Sequence, residues 1–367
     1  MERKAIIKPY DPSKIKVNIH NKNLGFIIEM LEFEEINLMP DFQREGDLWN
    51  NTKKSQLIES ILLGLPLPSF YFSEYKDSEK EDGNGNWTWA IVDGLQRLST
   101  FQDFIINKDL ALVGLEFLNS YEGKKYDDLS REDKRKISGF TINFYVIEKE
   151  TPKDVKFLIF KRVNTGGLVL TPQEMRHALN QGTPAKFVKR LAEKTKEFKE
   201  ATCYRIPSKR QEDRDFINRF IAFYLQGYDN KYYGELDSFL NDGMSSLSVK
   251  SKAELDKIEL DFKKSMKLSY EIFGEDAFRK RYKKGERRKP ISKAVYDTLS
   301  VNFAWLTDEE RAVLKSRKGG FKKRLMELFN KKDEPFHKSI TTATGQKSNV
   351  KTRFEAIKRI INETLNQ

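Results

Sequence analysis

Beyond about residue 172 the chain almost ceases to offer β-strand signals, while apolar residues keep recurring at spacings of three and four. Phe216, Phe220, Phe223 and Tyr224 form one such stripe, and Leu255, Ile258, Phe262 and Met266 another. Val295, Leu299 and Phe303 and then Phe354, Ile357 and Ile361 continue the pattern. That period lines one face of a helix, so a buried helical core is expected there. The earlier part differs. Leu57, Ile58, Ile61 and Leu62 make a helical stripe closed by Gly64, Pro66 and Pro68. The runs 69–73, 87–92 and 141–147 are aromatic and β-branched, as strands require, and the first two are separated by the polar segment EYKDSEKEDGNGN. Helices are predicted over 95–107, 130–138 and 152–163. A chain of 367 residues exceeds one ordinary hydrophobic core. The expectation is an α+β domain over 1–182 with a small mixed sheet, then an all-α domain over 183–367 with loops near 200–211, 227–250 and 333–348.

The charge is distributed as unevenly as the strands. Residues 1–150 carry 20 Lys+Arg and 26 Asp+Glu, a net of −6, whereas residues 151–367 carry 47 and 29, a net of +18. Two basic clusters dominate the second part, FRKRYKKGERRKPISK (278–293) and KSRKGGFKKRLMELFNKK (315–332). A basic half beside an acidic one suits a polyanion, because neutralised phosphates release condensed counterions. Arg279, Arg281, Lys283, Lys284, Arg287 and Arg288 are the candidate nucleic-acid contacts. Solvated helix faces are the competing explanation. The single cysteine, Cys203, excludes an intrachain disulfide, and His20, His177 and His337 are too scattered for a zinc or HNH-type nuclease motif. No apolar run approaches a membrane span, and the first residues lack a secretory pattern, so a cytoplasmic location is expected.

Chemistry concentrates where the run WTWAIVDGLQRLSTFQDF (87–104) is interrupted. A strand followed by glycine and a helix leaves backbone N–H groups unpaired at the helix start, a natural cradle for an anionic oxygen. Gly94 permits close approach, Arg97 offers a planar donor fork, and Gln96 can orient a water. Asp93 would repel a phosphate unless it binds Mg²⁺, accepts a proton, or neutralises an arginine. An N-capping aspartate in a salt bridge with Arg97 explains the same residues structurally.

Two other stretches add polar groups. PDFQREGDLW (40–49) repeats the Gln-Arg pairing at Gln43 and Arg44. FKRVNTGG (160–167) places Arg162 and Asn164 beside Gly166 and Gly167, which suit an anion nest, and Thr171 to Glu174 has the form of a capping box with Pro172 inside it. His177 follows Glu174 and Arg176 on that helix and is expected to face solvent or core.

With these stretches in order, PDFQREGDLWN (40–50), SQLIESILLGLPLPSFYF (55–72), AIVDGLQRLSTFQDF (90–104) and FKRVNTGGLVLTPQEMRHAL (160–179), the chain resembles the N-terminal domain of GmrSD-type, modification-dependent restriction proteins. PISKAVYDTLS (290–300) and TGQKSNVKTRFE (344–355) look like the helical tail of that family. The resemblance implies a ParB/sulfiredoxin-like fold, binding of an NTP (GTP or ATP) with Mg²⁺, hydrolysis in several relatives, and coupling to restriction of phage DNA. Asp93, Gly94, Gln96 and Arg97 occupy the family's DGQQR motif, whose first glutamine is Leu95 here. Gln43, Arg44, Arg162 and Asn164 match its other polar positions. The family's frequent HNH nuclease has no counterpart in the histidines of this sequence.

On this basis Asp93, Gln96, Arg97 and Gln43 are the candidate catalytic residues, with Asp93 also the metal ligand. Arg44, Gly94, Arg162, Asn164, Gly166 and Gly167 are the candidate nucleotide-binding residues. The expected function is antiphage defence by an NTPase coupled to DNA or to a separately encoded nuclease or effector, with self-association left open. A stand-alone Mg²⁺-dependent nickase using the same pocket and a non-catalytic, antitoxin-like DNA-binding partner are the alternatives.

Overall fold

The computed structural model describes residues 15–38, 49–74, 89–163, 170–229, 231–331 and 334–367. The chain divides into two units, Met1–Gly182 and Thr183–Gln367, each with its own apolar core.

The first unit is built on five strands: β1 (Val17–Asn23), β2 (Ile36–Asn37), β3 (Phe70–Glu74), β4 (Trp89–Asp93) and β5 (Thr141–Ile147). They lie in the order β1-β5-β3-β4-β2. β1 runs antiparallel to β5 and β3 antiparallel to β4, whereas β3–β5 and β2–β4 are parallel, so the sheet is mixed. β3 sits in the middle, and its Phe70 and Phe72 are fully buried. The aromatic runs marked β3, β4 and β5 in the sequence, but not β1 or β2. β1 is a polar edge strand, mostly exposed and held to β5 through backbone pairing from Val17↔Ile147 to Asn23↔Thr141. β2 has only two residues.

Helices cover both faces of this sheet. On one, α1 (Leu24–Glu32), α2 (Asn51–Leu62), α3 (Leu95–Phe101) and α4 (Arg131–Gly139) enclose Phe70, Phe72, Ile91 and Phe144. On the other, α5 (Lys153–Val163) and α6 (Pro172–Leu179) pack Phe157, Phe160 and Met175 against Ala90, Val92 and Ile147. The helix expected over 95–107 is α-helical only to Phe101 and continues as a π-helical turn, Gln102–Ile106. The capping box forms: Thr171 accepts from the Glu174 N–H, and the Glu174 carboxylate accepts from the Thr171 N–H at 2.6 Å.

Glu59, buried on α2, gathers a loop rather than a cation. Its carboxylate accepts the N–H groups of Phe117 and Leu118 at 2.7 Å and of Glu116 at 3.1 Å. Burial pushes its pKa upward, but the donors from Leu118, Phe117 and Glu116 together outweigh that and hold it below the usual 4.5.

From Thr183 onward no strand forms among the described residues, only an isolated bridge between Arg279 and Ile291. The stripes seen in the sequence are buried as expected, with Leu255 and Tyr224 at the margin of the core. Two regions expected to be loops contain helices. Leu236–Ser245 forms within 227–250, and Pro335–Ser339 forms within 333–348. Their apolar residues, Phe239, Leu240 and Met244 in one and Phe336 in the other, are few and diluted by polar neighbours, and burial in the shared core stabilises them. An ion cluster lies at the centre. Asp297 on α12 (Lys293–Ala304) takes Arg219 of α9 (Glu212–Gln226) in a fork of 2.7 and 2.6 Å, and Arg353 of α16 (Lys347–Leu365) at 3.3 Å. Asp297 is fully buried, so the pair depends on complete partnering. No helix among the described residues is long and apolar enough to cross a membrane.

Two outcomes follow from these networks. Asp297→Ala, which strands two buried guanidinium groups, should cost about 3–5 kcal/mol in urea unfolding. Glu59 contributes stability that is complete above its unfolded pKa and is lost as pH falls through its lower folded value. Glu59→Gln should therefore be less stable than wild type at neutral pH, and the gap in thermal midpoint should close on acidification below about 4.5.

Candidate functional site

The corner after β4 is set by Gly94. Its φ is +107°, and a Cβ there would come within 2.5 Å of Phe70 Cδ1 and 3.2 Å of Arg97 Nη2, so both conformation and space demand glycine. The close approach foreseen at this glycine is thus made, in the first place, by the ring of Phe70. Gly94 is also the residue that starts α3, since its carbonyl accepts from the Leu98 N–H at 2.9 Å. The amides of Leu95, Gln96 and Arg97 precede that ladder. Asp93 is therefore not the N-cap.

Arg97 points back into the unit rather than outward. Its guanidinium lies 4.2 Å from the centroid of Phe70, donates to the carbonyl of Pro68, to that of Ser69 at 3.2 Å, and to Asp93 Oδ2 at 3.0 Å. Burial lowers its pKa and the Asp93 carboxylate opposes that shift; a guanidinium is basic enough to keep its proton all the same. Asp93 experiences the reverse: burial raises its carboxyl pKa, against the pull of Arg97 and of the Gly94 N–H. The two side chains differ in access. Arg97 is 9% exposed and Asp93 26%, so the carboxylate can be reached from solvent while the guanidinium is an internal brace. The salt bridge that competed with a phosphate site in the sequence is formed.

Gln96 is also engaged. Its Oε1 accepts the Trp49 N–H at 3.0 Å, tying the corner to the chain that follows Gln43 and Arg44. Leu95, at the position where the motif has glutamine, is half-buried and packs against the main core of the unit. Tyr71 lies opposite Asp93 in the β3–β4 register, which places its phenol beside the carboxylate, and it stacks on Tyr145 with centroids 4.8 Å apart. The structure thus brings together Asp93, Gly94, Gln96 and Arg97. Gln43, Arg44, Asn164, Gly166 and Gly167 lie outside the described residues. Arg162 is exposed in the last turn of α5 and forms no hydrogen bond or ion pair with the corner. His177 is buried on α6. Phe70, the carbonyls of Pro68 and Ser69, and the Trp49 amide were not foreseen; the two prolines before β3 were the only local sign that this chain segment is held rigidly.

Among the described residues no group of three or more His, Cys, Asp or Glu could hold a metal. A Mg²⁺ ion needs only one or two protein carboxylates when a bound phosphate and water supply the rest. Asp93, partly exposed with one oxygen on Arg97, fits that lesser requirement.

Residues 27–181 match the family model of the GmrSD restriction endonuclease N-terminal domain. This part of the chain is a GmrSD-type domain. The match begins in α1, ends just after α6 and contains the whole corner at Asp93. A search of the curated proteins gives no match. The GmrSD-type domain belongs to a restriction-like defence family, and the helical unit lies outside the matched residues.

The helical unit carries the second group of candidates. Arg279 donates to the carbonyls of Glu275 and Lys289, Arg281 pairs with Asp276 and the Glu286 carbonyl, and Arg288 pairs with Glu275 and Asp276. These three arginines are tethered locally, whereas Lys283, Lys284 and Arg287 are exposed and their side-chain cations have no partner among the described residues.

The corner makes a specific stability demand on the GmrSD-type domain. Gly94→Ala should lose roughly 2–4 kcal/mol in urea unfolding, because a left-handed backbone and an overfilled contact with Phe70 act together.

Proposed function

We propose that the GmrSD-type domain binds and hydrolyses a nucleoside triphosphate, GTP or ATP, with Mg²⁺, as the regulatory engine of an antiphage defence protein. The observation that carries this reading is the corner itself: a left-handed glycine opens a helix start beside a carboxylate that is braced from within yet reachable from solvent. Helix-start amides favour an anion, and a partly exposed aspartate beside them suits a metal-bound phosphate.

The division of labour differs from one in which Arg97 grips phosphate. Arg97 is a positioning residue, fixing Asp93 and the chain before β3. Phosphate oxygens would meet the amides at the start of α3 and the side chain of Arg44. Arg44 lies five positions before Trp49, which Gln96 holds. Asp93 would hold Mg²⁺ or a water, and Gln43 and the amide nitrogen of Gln96 would orient the attacking water. Arg162, Asn164, Gly166 and Gly167 would complete the nucleotide site. Bound Mg²⁺ supplies charge neutralisation of the phosphates. The nucleotide state would act on the helical unit, whose basic surface would contact DNA, or on a separately encoded nuclease.

Purified protein should hydrolyse GTP or ATP with Mg²⁺, and Asp93→Asn, still folded but less stable because the buried Arg97 loses its counter-charge, should lower turnover roughly 100-fold or more at a temperature well below its melting point. Arg44→Ala should weaken nucleotide binding without changing the melting temperature. Absence of binding and hydrolysis for every NTP tested with Mg²⁺ would remove this reading.

A further inference from the structure

The helical unit contains a cavity of about 430 Å³ between the segment after α11 (Lys252–Phe273) and α14 (Lys318–Asn330). Among the described residues six cations line it, Arg279, Arg281, Lys283, Lys284, Lys322 and Lys323, against a single carboxylate, Asp276. That carboxylate is already held by Arg281 and Arg288. The two arginines are fixed by backbone carbonyls, and the Arg281 Nε is buried without a partner. The four lysines are exposed, and their ammonium groups form no hydrogen bond or ion pair among the described residues. The wall beneath them is apolar, made by Phe273, Leu325, Met326 and Phe329.

A bare inorganic anion would use the lysines but leave the apolar wall wet. An extended duplex would meet the rim without entering a recess of this size. The combination of an apolar and aromatic wall, prearranged guanidinium groups and four unneutralised ammonium groups matches a compact ligand with a flat apolar body and several negative charges. We propose that this cavity is a binding site for a phosphorylated nucleoside, its phosphates among Lys283, Lys284, Lys322 and Lys323 and its base against Phe273 and Met326. The ligand is either a free nucleotide or the terminal nucleotide of a nucleic-acid strand. This site is separate from the corner at Asp93 and does not depend on the reading of that corner.

The full-length protein should be titrated with fluorescent N-methylanthraniloyl-ATP and, in parallel, with a labelled single-stranded oligonucleotide bearing a 5′-phosphate. The pocket variant Lys322→Glu/Lys323→Glu changes only exposed side chains without partners and should fold. It should bind at least one of the two probes about tenfold more weakly or worse, whereas Lys267→Glu/Lys358→Glu, which alters the same net charge away from the cavity, should change affinity less than about threefold. Asp93→Asn should leave this pocket-dependent component intact. Loss confined to the labelled ATP identifies a free nucleotide, and loss confined to the oligonucleotide identifies a strand end. The proposal is overturned if neither probe responds to the pocket variant, if the control variant weakens binding equally, or if tripolyphosphate competes as well as ATP.

Discussion

The first unit hangs on the way Arg97 is buried. One guanidinium reaches the carbonyls of Pro68 and Ser69, the carboxylate of Asp93 and the face of Phe70. It thereby links the approach to the central strand, the end of its neighbour and the first turn of the following helix. No lysine could do this, because a point charge on a flexible stem lacks the planar fork that serves several acceptors at once. Gly94 is the other half of the same arrangement, since any side chain there would displace Phe70 or Arg97. The carboxylate is exposed at this corner because the cation that balances it lies beneath.

The helical unit uses charge in two ways. Asp297 and Arg353 lie more than 50 residues apart in the sequence, and the fold joins them, with Arg219, at the centre of the core. Such a buried cluster favours one packing of three helices, because a slipped arrangement would leave a bare charge in an apolar interior. The outer cations behave differently. The arginines of 279–288 mostly satisfy nearby carbonyls and acids, while Lys283 and Lys284 find no partner among the described residues. Net charge alone would have credited all of them equally to a polyanion partner.

Much of the architecture was legible from periodicity. Strands with aromatic and β-branched runs and helices with regular stripes declare which face is buried, since burial of that face stabilises them. What escaped was stabilised from elsewhere: β1 by backbone pairing to β5, β2 by two residues of contact with β4, and Leu236–Ser245 by a shared core. The candidate site was legible as a list of residues and not as a division of roles. Asp93, Gly94, Gln96 and Arg97 are adjacent in sequence, and their grouping was foreseen; which of them faces solvent was not, because a side chain's direction depends on acceptors 25 or more residues away, as with Pro68.

By itself, then, the sequence determined an α+β unit followed by an all-helical one, an acidic part followed by a basic part, and a strand–glycine–helix corner bearing a carboxylate and a guanidinium. Local spacing and composition suffice for these, because they arise from backbone conformation and from residue types near in the chain. Only the tertiary structure decided that Arg97 braces the corner from inside, that Gln96 holds Trp49, and that four lysines from two separate basic clusters surround one cavity. Those outcomes depend on which distant groups meet, and burial then commits each charge to the partner it finds or leaves it facing water.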